Sequence, residues 1–288
     1  MSTPAATTRR TDPTTTPAGA PMTTTTTTAA PRASYTRPTG VVADVVTVFT
    51  REMRPLARDP FQVVFSMIQP LFFLALFAPL LPDGAFPGGV SALQWFVPGI
   101  VAMSCLMGTS MVGSNLLLEM QTGSHERLLV APVRRSALLL GRAAKEIVPM
   151  LAQSAIIIAA VTPFSFELHL PGVLVGLAIM AVFAVGMASL SYVLALAAEG
   201  RDWMFWAVQQ TFLFPVLLLA GMLLPVDDGP AWLRTLSALN PLTYVVDAER
   251  ALFAGTWPAG TILAGVAAAA GVALVGLGVG IRAMRRQD

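Results

Sequence analysis

Long uncharged runs alternate with short charged segments along most of this chain. Charged residues end each run, because an Asp, Arg or Lys at the middle of a bilayer costs roughly 2.5–3.5 kcal/mol. A run of about 20 residues, at about 1.5 Å per residue, crosses a hydrocarbon core of roughly 30 Å. The pattern predicts an all-α integral membrane protein with six spans, at approximately residues 61–81, 94–118, 147–166, 172–197, 203–224 and 258–281.

Residues 41–58, just before the first predicted span, have the two faces of an amphipathic helix. Apolar side chains recur at spacings of three and four: Val42, Val45, Val46, Phe49, Met53 and Leu56. The opposite face carries Asp44, Thr47, Arg51, Arg54 and Arg58. This pattern favours an interfacial helix that lies in the membrane surface, with a kink at Pro55. A soluble helix packed on a partner is the alternative.

Residues 1–40 differ in composition from everything that follows. They contain fifteen Thr and six Pro, and no long apolar stretch. Such a segment buries too little apolar surface to offset the entropy that ordering costs. We expect a disordered cytoplasmic tail at residues 1–40 and a six-span domain at residues 59–288.

The segment between spans two and three, residues 119–146, has more features than a simple link needs. It contains a break at Gly123, a short apolar patch at Leu128–Ala131 and a stop at Pro132, which together predict a surface knob. The patch is too short to cross a membrane, so it implies docking to a partner. A loop that folds back on its own helices is the alternative.

The segment between spans five and six, residues 225–257, is less apolar than a span and is interrupted by prolines. It predicts two short helices, Ala231–Ala238 and Leu242–Phe253, that re-enter the membrane from outside. Asp247 and Arg250 are three residues apart and are expected to pair on one helical face. An exposed loop is the alternative.

The distribution of basic residues predicts the orientation of the chain. Six spans put both termini on one side, and sixteen of the eighteen Arg and Lys residues fall on that side. Arg234 and Arg250 are the two exceptions. Because positively charged loops stay in the cytoplasm, we expect both termini and the 119–146 loop to be cytoplasmic, in a multi-pass protein of the cell (inner or plasma) membrane.

Composition supports a membrane protein and excludes other classes. Hydrophobic residues make up 55% and charged residues 12% of the 288 residues. A soluble domain, by contrast, is about a quarter charged. The net charge of +2 is scattered between apolar runs, so we expect no nucleic-acid partner. Seventeen Arg against one Lys is typical of a GC-rich bacterial genome.

The predicted spans carry little of the chemistry that enzymes or ion-coupled transporters need. Their interiors contain no Asp, Glu, Lys or Arg, which disfavours proton- or ion-driven transport. One cysteine, Cys105, and two histidines, His125 and His169, predict no metal or haem site. The sole lysine, Lys145, is not part of a Gly-Lys-Ser/Thr phosphate loop, so any ATP would be hydrolysed by another chain.

An uncharged passage through the membrane suits amphiphilic molecules. Candidate lining residues are Phe72 and Phe73 in span one, Met107 and Asn115 in span two, and Gln209, Gln210 and Phe212 in span five. The two glutamines are the strongest candidates because amides avoid lipid. Packing or lipid-facing roles are the alternative for the aromatic residues and Met107. Glycines at Gly172, Gly176, Gly276 and Gly280 predict close helix packing.

Two motifs together resemble a known family. Glu119-x3-Gly123-x2-Glu126-x-Leu128-x3-Pro132 is followed, later in the chain, by Asn240-Pro241-Leu242-x-Tyr244 and by Arg250. Combined with six spans and an interfacial N-terminal helix, they make the chain from about residue 41 onward similar to the permease subunit of type-2 (ABC-2) ABC exporters. The daunorubicin-resistance permeases are the branch that it resembles most.

The resemblance implies roles for particular residues. A helix that couples the permease to an ATPase subunit would comprise Glu119, Gly123, Glu126, Arg127, Leu128, Leu129 and Pro132. Outer re-entrant helices would contain Asn240, Pro241, Tyr244, Asp247 and Arg250. The resemblance also implies two ATPase subunits, which bind ATP and Mg, and a second permease copy or homologue, all in contact with membrane lipids.

The expected function is export of amphiphilic drugs or other hydrophobic small molecules, as in multidrug efflux and antibiotic resistance. The chain would be a transport subunit without its own ATPase site, and not an enzyme. A lipid or polysaccharide exporter permease of the same fold is the near alternative. A membrane enzyme or passive scaffold that acts without ATP is the alternative from another class.

Overall fold

The computed structural model describes residues 40–59, 61–80, 90–123, 134–164, 166–222, 225–226 and 229–285. Within these ranges the chain forms α-helices joined by short connections, and no strand occurs among them. Residues 1–39, and with them nearly all of the predicted tail, lie outside the described ranges.

Twelve α-helices lie within the described ranges. They are α1 (Val41–Arg58), α2 (Phe61–Ser66), α3 (Ile68–Phe77), α4 (Ala92–Ser110), α5 (Val112–Gln121), α6 (Arg135–Lys145), α7 (Ile147–Val161), α8 (Leu170–Ala197), α9 (Asp202–Leu219), α10 (Ala231–Leu239), α11 (Pro241–Phe253) and α12 (Ala259–Arg285). A short 3₁₀ turn, Ala78–Leu80, follows α3.

Helix α4 lies at the centre of the bundle. The Ser91 hydroxyl caps its N-terminus by accepting a hydrogen bond from the backbone N–H of Gln94 at 3.2 Å. Phe96, Val97 and Ile100 are wholly buried, and the helix contacts α3, α7, α8, α9 and α11. A helix that is apolar on all sides is stable where neighbours cover all sides, which places this sequence in the core.

Helices α8 and α12 pack together through glycine. A Cβ atom on Gly186 would lie 2.6 Å from the backbone nitrogen of Ala273, and one on Gly276 would overlap the carbonyl oxygen of Gly186. Small residues allow helices in a membrane to approach closely and gain van der Waals contact. The close packing predicted from the glycine spacing is therefore confirmed, with neighbouring atoms within 3.0 Å of the Cβ position at Gly172, Gly176, Gly276 and Gly280.

Four helical stretches are long and apolar enough to cross a membrane: Ala92–Gln121, Arg135–Val161, Leu170–Ala197 and Ala259–Arg285. Val41–Arg58 and Val63–Phe77 make a fifth candidate only as a pair, because the chain bends by 83° between them. The bend agrees with the prediction that α1 is a helix separate from the first span and does not continue in its direction. The described residues thus provide four or five of the six predicted spans, and the number six stays a prediction.

The segment predicted as a loop, residues 119–146, is helical at both ends. Helix α5 continues to Gln121, and α6 begins at Arg135 and leads into α7. Helix α7 begins at Ile147, the predicted start of the third span, and α6 extends the helical stretch back to Arg135. Ala137, Leu138 and Leu139 of α6 are buried, so packing supports a helix where the charges predicted a loop.

Helix α1 packs on α6 along one edge of its polar stripe. Asp44 is 4% exposed and Val42 is 77% exposed, so protein covers Asp44 and leaves the apolar side at Val42 uncovered. Protein covers the side of α1 on which Asp44 and Val48 lie. A Cβ atom on Gly141 of α6 would lie 2.7 Å from the side chain of Val48, so the absence of a side chain there allows the close approach.

Candidate functional site

The end of the bundle at which α5 ends and α6 begins, here named the loop end, contains a cluster of charges. Arg142 of α6 donates from Nη2 to Oε2 of Glu119 on α5 at 2.5 Å, and its Nε lies 3.3 Å from Oε1 of Glu52 on α1. Lys145 Nζ lies 3.5 Å from Oε2 of Glu52 and 3.8 Å from Oε1 of Glu146. These five residues, named the loop-base cluster, connect three helices.

Arg142 is at the centre of the loop-base cluster. Its side chain is nearly buried, and its guanidinium carbon lies 5.6 Å from the ring centre of Tyr192 on α8, within the range of a cation–π contact. The side chain of Arg142, which belongs to α6, thus contacts α5, α1 and α8.

Two more contacts attach the loop end to the rest of the bundle. Gln121, at the end of α5, donates a hydrogen bond from Nε2 to Oδ2 of Asp202 at the start of α9. Arg135, at the start of α6, donates from Nη1 to the carbonyl oxygen of Met284 on α12 at 2.9 Å. A displacement of the loop would therefore also act on α9 and α12.

The structure places two of the seven predicted coupling residues within its described ranges. Glu119 belongs to the loop-base cluster, and Gly123 follows α5 with a φ of 67°, a conformation that favours glycine. The other five, Glu126, Arg127, Leu128, Leu129 and Pro132, lie outside the described residues. Sequence reasoning missed Arg142 and Glu52, because nothing in their spacing indicates that α1 lies against α6.

At the opposite end of the bundle, Asn240 and Pro241 form the joint between α10 and α11. Asn240 Oδ1 accepts from the backbone N–H of Leu242 at 3.1 Å, and its Nδ2 donates to the carbonyl oxygen of Val216 on α9 at 2.8 Å. Pro241 lies in the first turn, where the missing N–H leaves no helical bond unmade. Tyr244 Oη donates to the carbonyl oxygen of Ala238 at 2.7 Å.

The two short helices predicted for this segment are confirmed as α10 and α11, and so is the pairing of Asp247 with Arg250. The two side chains approach to 3.6 Å. The guanidinium carbon of Arg250 also lies 3.7 Å from the ring centre of Trp95, and its Nη2 donates to the carbonyl oxygen of Gly221 at 2.7 Å. Arg250 therefore fixes α11 to α4 and to the end of α9. Re-entry of these helices into a membrane stays a prediction.

Glu249, beside Arg250 on α11, is a buried acid that sequence reasoning did not single out. It is wholly buried, and neither carboxylate oxygen has a hydrogen-bond partner among the described residues. Its Cγ lies 3.5 Å from the position that a Cβ on Gly176 would take. Burial raises the pKa of Glu249 well above its ordinary value, and the positive charge of Arg250 opposes that effect in part.

A cleft of ≈ 290 Å³, named the side cleft, opens between α4, α8 and α9. Three of its lining residues are polar, namely Ser110, Ser191 and Gln209. The amide of Gln209 has no hydrogen-bond partner among the described residues, although the side chain is 7% exposed. The apolar lining consists of Leu106, Met187, Leu190, Leu194, Val208, Phe212, Leu213 and Val216.

The structure brings Gln209 and Phe212 together in the side cleft and leaves the other predicted passage residues elsewhere. On α3, Phe72 is exposed and Phe73 stacks on Phe77 with ring centres 5.6 Å apart. Met107 packs against the core of the bundle. Asn115 and Gln210 are exposed on α5 and α9. Their part in a passage stays a prediction.

Cys105 and His169 both pack against other parts of the bundle. Cys105 is buried in the apolar core. His169 Nδ1 lies 3.1 Å from the carbonyl oxygen of Phe253, and its ring packs against Gly255. Within the described ranges, no group of three or more His, Cys, Asp or Glu side chains is arranged to hold a metal ion.

Comparison with known proteins gives one family and several distant relatives. The family model described as ABC-2 type transporter matches residues 43–254. The chain is similar to the putative transport permease ycf38 of Cyanophora paradoxa, with 26% identity over 218 residues, which cover 74% of each chain. It is also similar to the daunorubicin resistance ABC transporter permease protein DrrB1 of Streptomyces coeruleorubidus, with 23% identity over 77% of this chain and 80% of the relative.

A third relative matches over a shorter range. The probable multidrug ABC transporter permease YbhR of Escherichia coli (strain K12) is 24% identical over 163 residues, which cover 56% of this chain and 44% of that protein.

Proposed function

Because the chain belongs to the ABC-2 type transporter family and is a multi-pass membrane protein, we propose that it is the permease subunit of an ATP-driven exporter. The observation that carries this proposal is the loop-base cluster. It connects α1, α5 and α6 around Arg142 at the point where the loop leaves the bundle. A force applied to that loop would therefore reach three helices together.

The ATPase would be a separate subunit that binds ATP and magnesium. The one lysine of the chain, Lys145, lies beside Glu52 in an ion pair and is not part of a phosphate-binding loop. We propose an assembly of two ATPase subunits with two permease chains, either identical or homologous. This chain would then be a transport subunit and not an enzyme.

The loop end would face the cytoplasm, with both termini on the same side. In support, Arg135, Arg201 and Arg285 all lie at that end of the bundle, and Lys and Arg are concentrated in the cytoplasmic segments of membrane proteins. The predicted coupling segment, Glu119 to Pro132, would then meet the ATPase. Binding energy released outside the membrane could thus act on the bundle.

The cargo would be an amphiphilic drug or another hydrophobic small molecule that leaves the cell. Two relatives are named for daunorubicin resistance and for multidrug transport. The side cleft, which is apolar apart from a few uncharged polar groups, suits molecules of this kind. The chain would then contribute to multidrug efflux and antibiotic resistance.

In this proposal, the ATPase pair biases the bundle between two arrangements. Closure of the ATPases pushes the loop, and Arg142 transmits the displacement to α1 and α8. At the opposite end, Arg250 and Asn240 hold α11 on α4 and α9, which closes the exit in one of the arrangements.

Purification of the full chain from its native membrane in lipid nanodiscs tests the proposal. We expect an ABC ATPase subunit to copurify, and transport by the reconstituted complex to require ATP hydrolysis. A chain that purifies alone and moves cargo across liposomes without ATP would contradict the proposal and favour an ATP-independent protein.

The docking role of the loop is tested by Glu126→Ala. We expect the complex to stay assembled and substrate-stimulated ATPase activity to fall, because the variant changes the contact that transmits the push. Glu199→Ala, at an exposed acid in the connection before α9, is the matched control. Unchanged stimulation in Glu126→Ala would remove Glu126 from the coupling path.

A further inference from the structure

Three arginines lie along one side of α1 and point away from the bundle. Arg51, Arg54 and Arg58 are spaced by three and four residues, which places them on the same side of a helix, and all three are exposed. They are named the arginine row. None of the three makes an ion pair with another described residue.

The two acids of α1 do not neutralise the arginine row. Asp44 is buried on the side that protein covers, and Glu52 pairs with Arg142 and Lys145. Asp59, directly after the helix, is exposed, which leaves one exposed acid against three exposed arginines. The exposed side of α1 is therefore positively charged and attracts an anionic partner.

Another side of α1 is apolar and is not covered by protein. Val42 and Val46 are 77% and 53% exposed, and the half-buried Phe49 and Met53 continue this side along the helix. The helix thus has one side packed on α6, one apolar side and one basic side. A helix with an apolar and a basic side binds a membrane surface, with acyl chains against the first and headgroups around the second.

The direction of α1 fits a position in the membrane surface. The chain bends by 83° between Val41–Arg58 and Val63–Phe77, so a second segment that crosses the membrane leaves α1 nearly parallel to the surface. Arg58 is three residues before Phe61, where α2 begins, so the row ends where the chain enters the membrane. The guanidinium group forms two parallel hydrogen bonds with a phosphate, which makes the phosphate of a lipid a fitting partner at this depth.

We propose that the arginine row binds the headgroups of anionic phospholipids, and that this contact holds α1 on α6 at the loop-base cluster. Glu52 follows Arg51 in the same helix and pairs with Arg142 of α6, so lipid bound to the row acts on a helix that belongs to the cluster. The inference rests on the proposed function and deepens it, because it names the class of lipid on which coupling to the ATPase depends.

The first test measures lipid binding to the full chain. The protein is purified in a neutral detergent and mixed with equal amounts of phosphatidylglycerol, which is anionic, and phosphatidylcholine, which carries no net charge, both with the same acyl chains. Native mass spectrometry counts the bound molecules of each lipid. We expect more phosphatidylglycerol than phosphatidylcholine to bind, and this preference to fall as salt is added, because exposed charges are screened.

Substitution of the whole row separates charge from folding. The triple variant Arg51→Gln, Arg54→Gln and Arg58→Gln should lower the preference for phosphatidylglycerol at least about tenfold and leave phosphatidylcholine binding unchanged. The triple variant with Lys at the same three positions keeps the charge and should keep most of the preference, which guards against misfolding as the cause.

Three other arginines provide a matched control for the number of charges removed. Arg201, Arg282 and Arg285 are exposed at the same end of the bundle, but they are divided between the start of α9 and the end of α12. Their combined replacement by Gln should keep most of the preference for phosphatidylglycerol, because the row on α1 stays intact.

The second test measures coupling in the copurified complex with the ATPase. In nanodiscs of phosphatidylcholine, addition of phosphatidylglycerol should raise the ATPase activity of the wild-type complex and have little effect on the complex with the Gln row. This result is expected because only the wild type has the row that connects anionic lipid to α1.

Three results would overturn the inference. The first is an unchanged preference for phosphatidylglycerol in the Gln row. The second is an equal loss of preference in the control triple variant, which would mean that net charge alone attracts the lipid. The third is loss of the ATPase from the Gln-row variant in pure phosphatidylcholine, where the wild type keeps it, which would make the row a docking surface for protein.

The same preparations distinguish this inference from the proposed function. A chain that copurifies with an ATPase but binds both lipids equally refutes the lipid site alone. A chain that binds phosphatidylglycerol through the arginine row but associates with no ATPase refutes the exporter function and leaves a lipid-binding surface.

Discussion

Arg142 alone connects four helices at the loop end: its own helix α6 and, through its contacts, α1, α5 and α8. It is buried beside two carboxylates and a tyrosine ring that come from three other helices. Without the guanidinium, Glu119 would lose its cation, and Glu52 would keep only Lys145, whose Nζ lies 3.5 Å away. Removal of one partner from a buried ion pair costs about 3–5 kcal/mol, because an uncompensated charge remains.

We expect Arg142→Met to destabilise the protein by about 3–5 kcal/mol, measured as a lower thermal midpoint in lipid nanodiscs. Arg51→Met, at an exposed arginine of α1, is the control and should change stability by less than about 0.5 kcal/mol. Addition of Glu52→Gln and Glu119→Gln to Arg142→Met should restore part of the loss. Equal effects of the two arginine variants would contradict the central position of Arg142.

Glu249 makes stability depend on pH. Burial raises the pKa of its carboxyl in the folded protein, so the folded state holds the proton at pH values where the unfolded chain releases it. The unfolded state then binds fewer protons, and stability falls as pH rises above the unfolded pKa of about 4.3 and toward the folded pKa. The acid therefore stabilises the fold least at high pH.

We expect Glu249→Gln to flatten this dependence, because the amide has nearly the same shape and carries no charge. The thermal midpoint, measured between about pH 5 and 8, should fall less with pH in the variant than in the wild type. Glu199→Gln, at an exposed acid, is the control and should keep the wild-type slope. A steeper slope in Glu249→Gln would contradict the assignment.

Among the helices, the close packing of α8 on α12 depends on single glycines, which have no side chain. Gly186 and Gly276 face each other, and a Cβ atom at either position would overlap backbone atoms of the other helix. Backbone atoms cannot move aside as a flexible side chain can, so the two helices would have to separate. Separation would lose dispersion contacts along both helices.

Two alanine substitutions in α12 should therefore differ in their effect on stability. Gly276→Ala should destabilise the protein, because its Cβ overlaps the carbonyl oxygen of Gly186. At Gly278, a Cβ atom would meet nothing within 4 Å. Gly278→Ala should accordingly be neutral or stabilise by up to about 1 kcal/mol through higher helix propensity. Thermal midpoints in lipid nanodiscs measure both effects, and stabilisation by Gly276→Ala would contradict the close packing.

On the scale of the whole molecule, the two ends of the bundle have different polar structures. The loop end has a cluster of five charged residues around Arg142, and the opposite end has Arg250 seated on Trp95 with Asp247 beside it. In the proposed function, the first receives the force from the ATPase and the second holds a gate closed, and the two ends face opposite sides of a membrane.

Cysteine labelling tests this orientation in a chain with Cys105 replaced by Ala. We expect Thr122→Cys, exposed at the loop end, to react with a membrane-impermeant maleimide only after cells are permeabilised. Trp257→Cys, 53% exposed at the opposite end in the wild type, should react in intact cells. The reverse pattern would place the loop end outside and exclude contact with a cytoplasmic ATPase.

Sequence reasoning predicted the long apolar helices well. The spans at residues 172–197 and 258–281 correspond to α8 and α12, because their uncharged runs are long and end at charges. It also predicted α10, α11 and the Asp247–Arg250 pair, which depend on local signals: a proline, an asparagine cap and a three-residue spacing. It did not predict α6, because α6 is amphipathic, carries several charges and depends on its neighbours for a place in the bundle.

The order of residues by itself determined that this chain is a helical membrane protein of a recognisable family. Charge costs too much at mid-bilayer to be placed freely, and local caps and glycine spacings need no distant partner. Only the tertiary structure decided that Glu52 meets Arg142, that Glu249 is buried with no hydrogen-bond partner among the described residues, and that Gln209 is one of the residues lining a cleft. Each of these features depends on how helices distant in the sequence pack against one another. An amphipathic or apolar pattern does not specify which neighbouring helix a given helix face will contact.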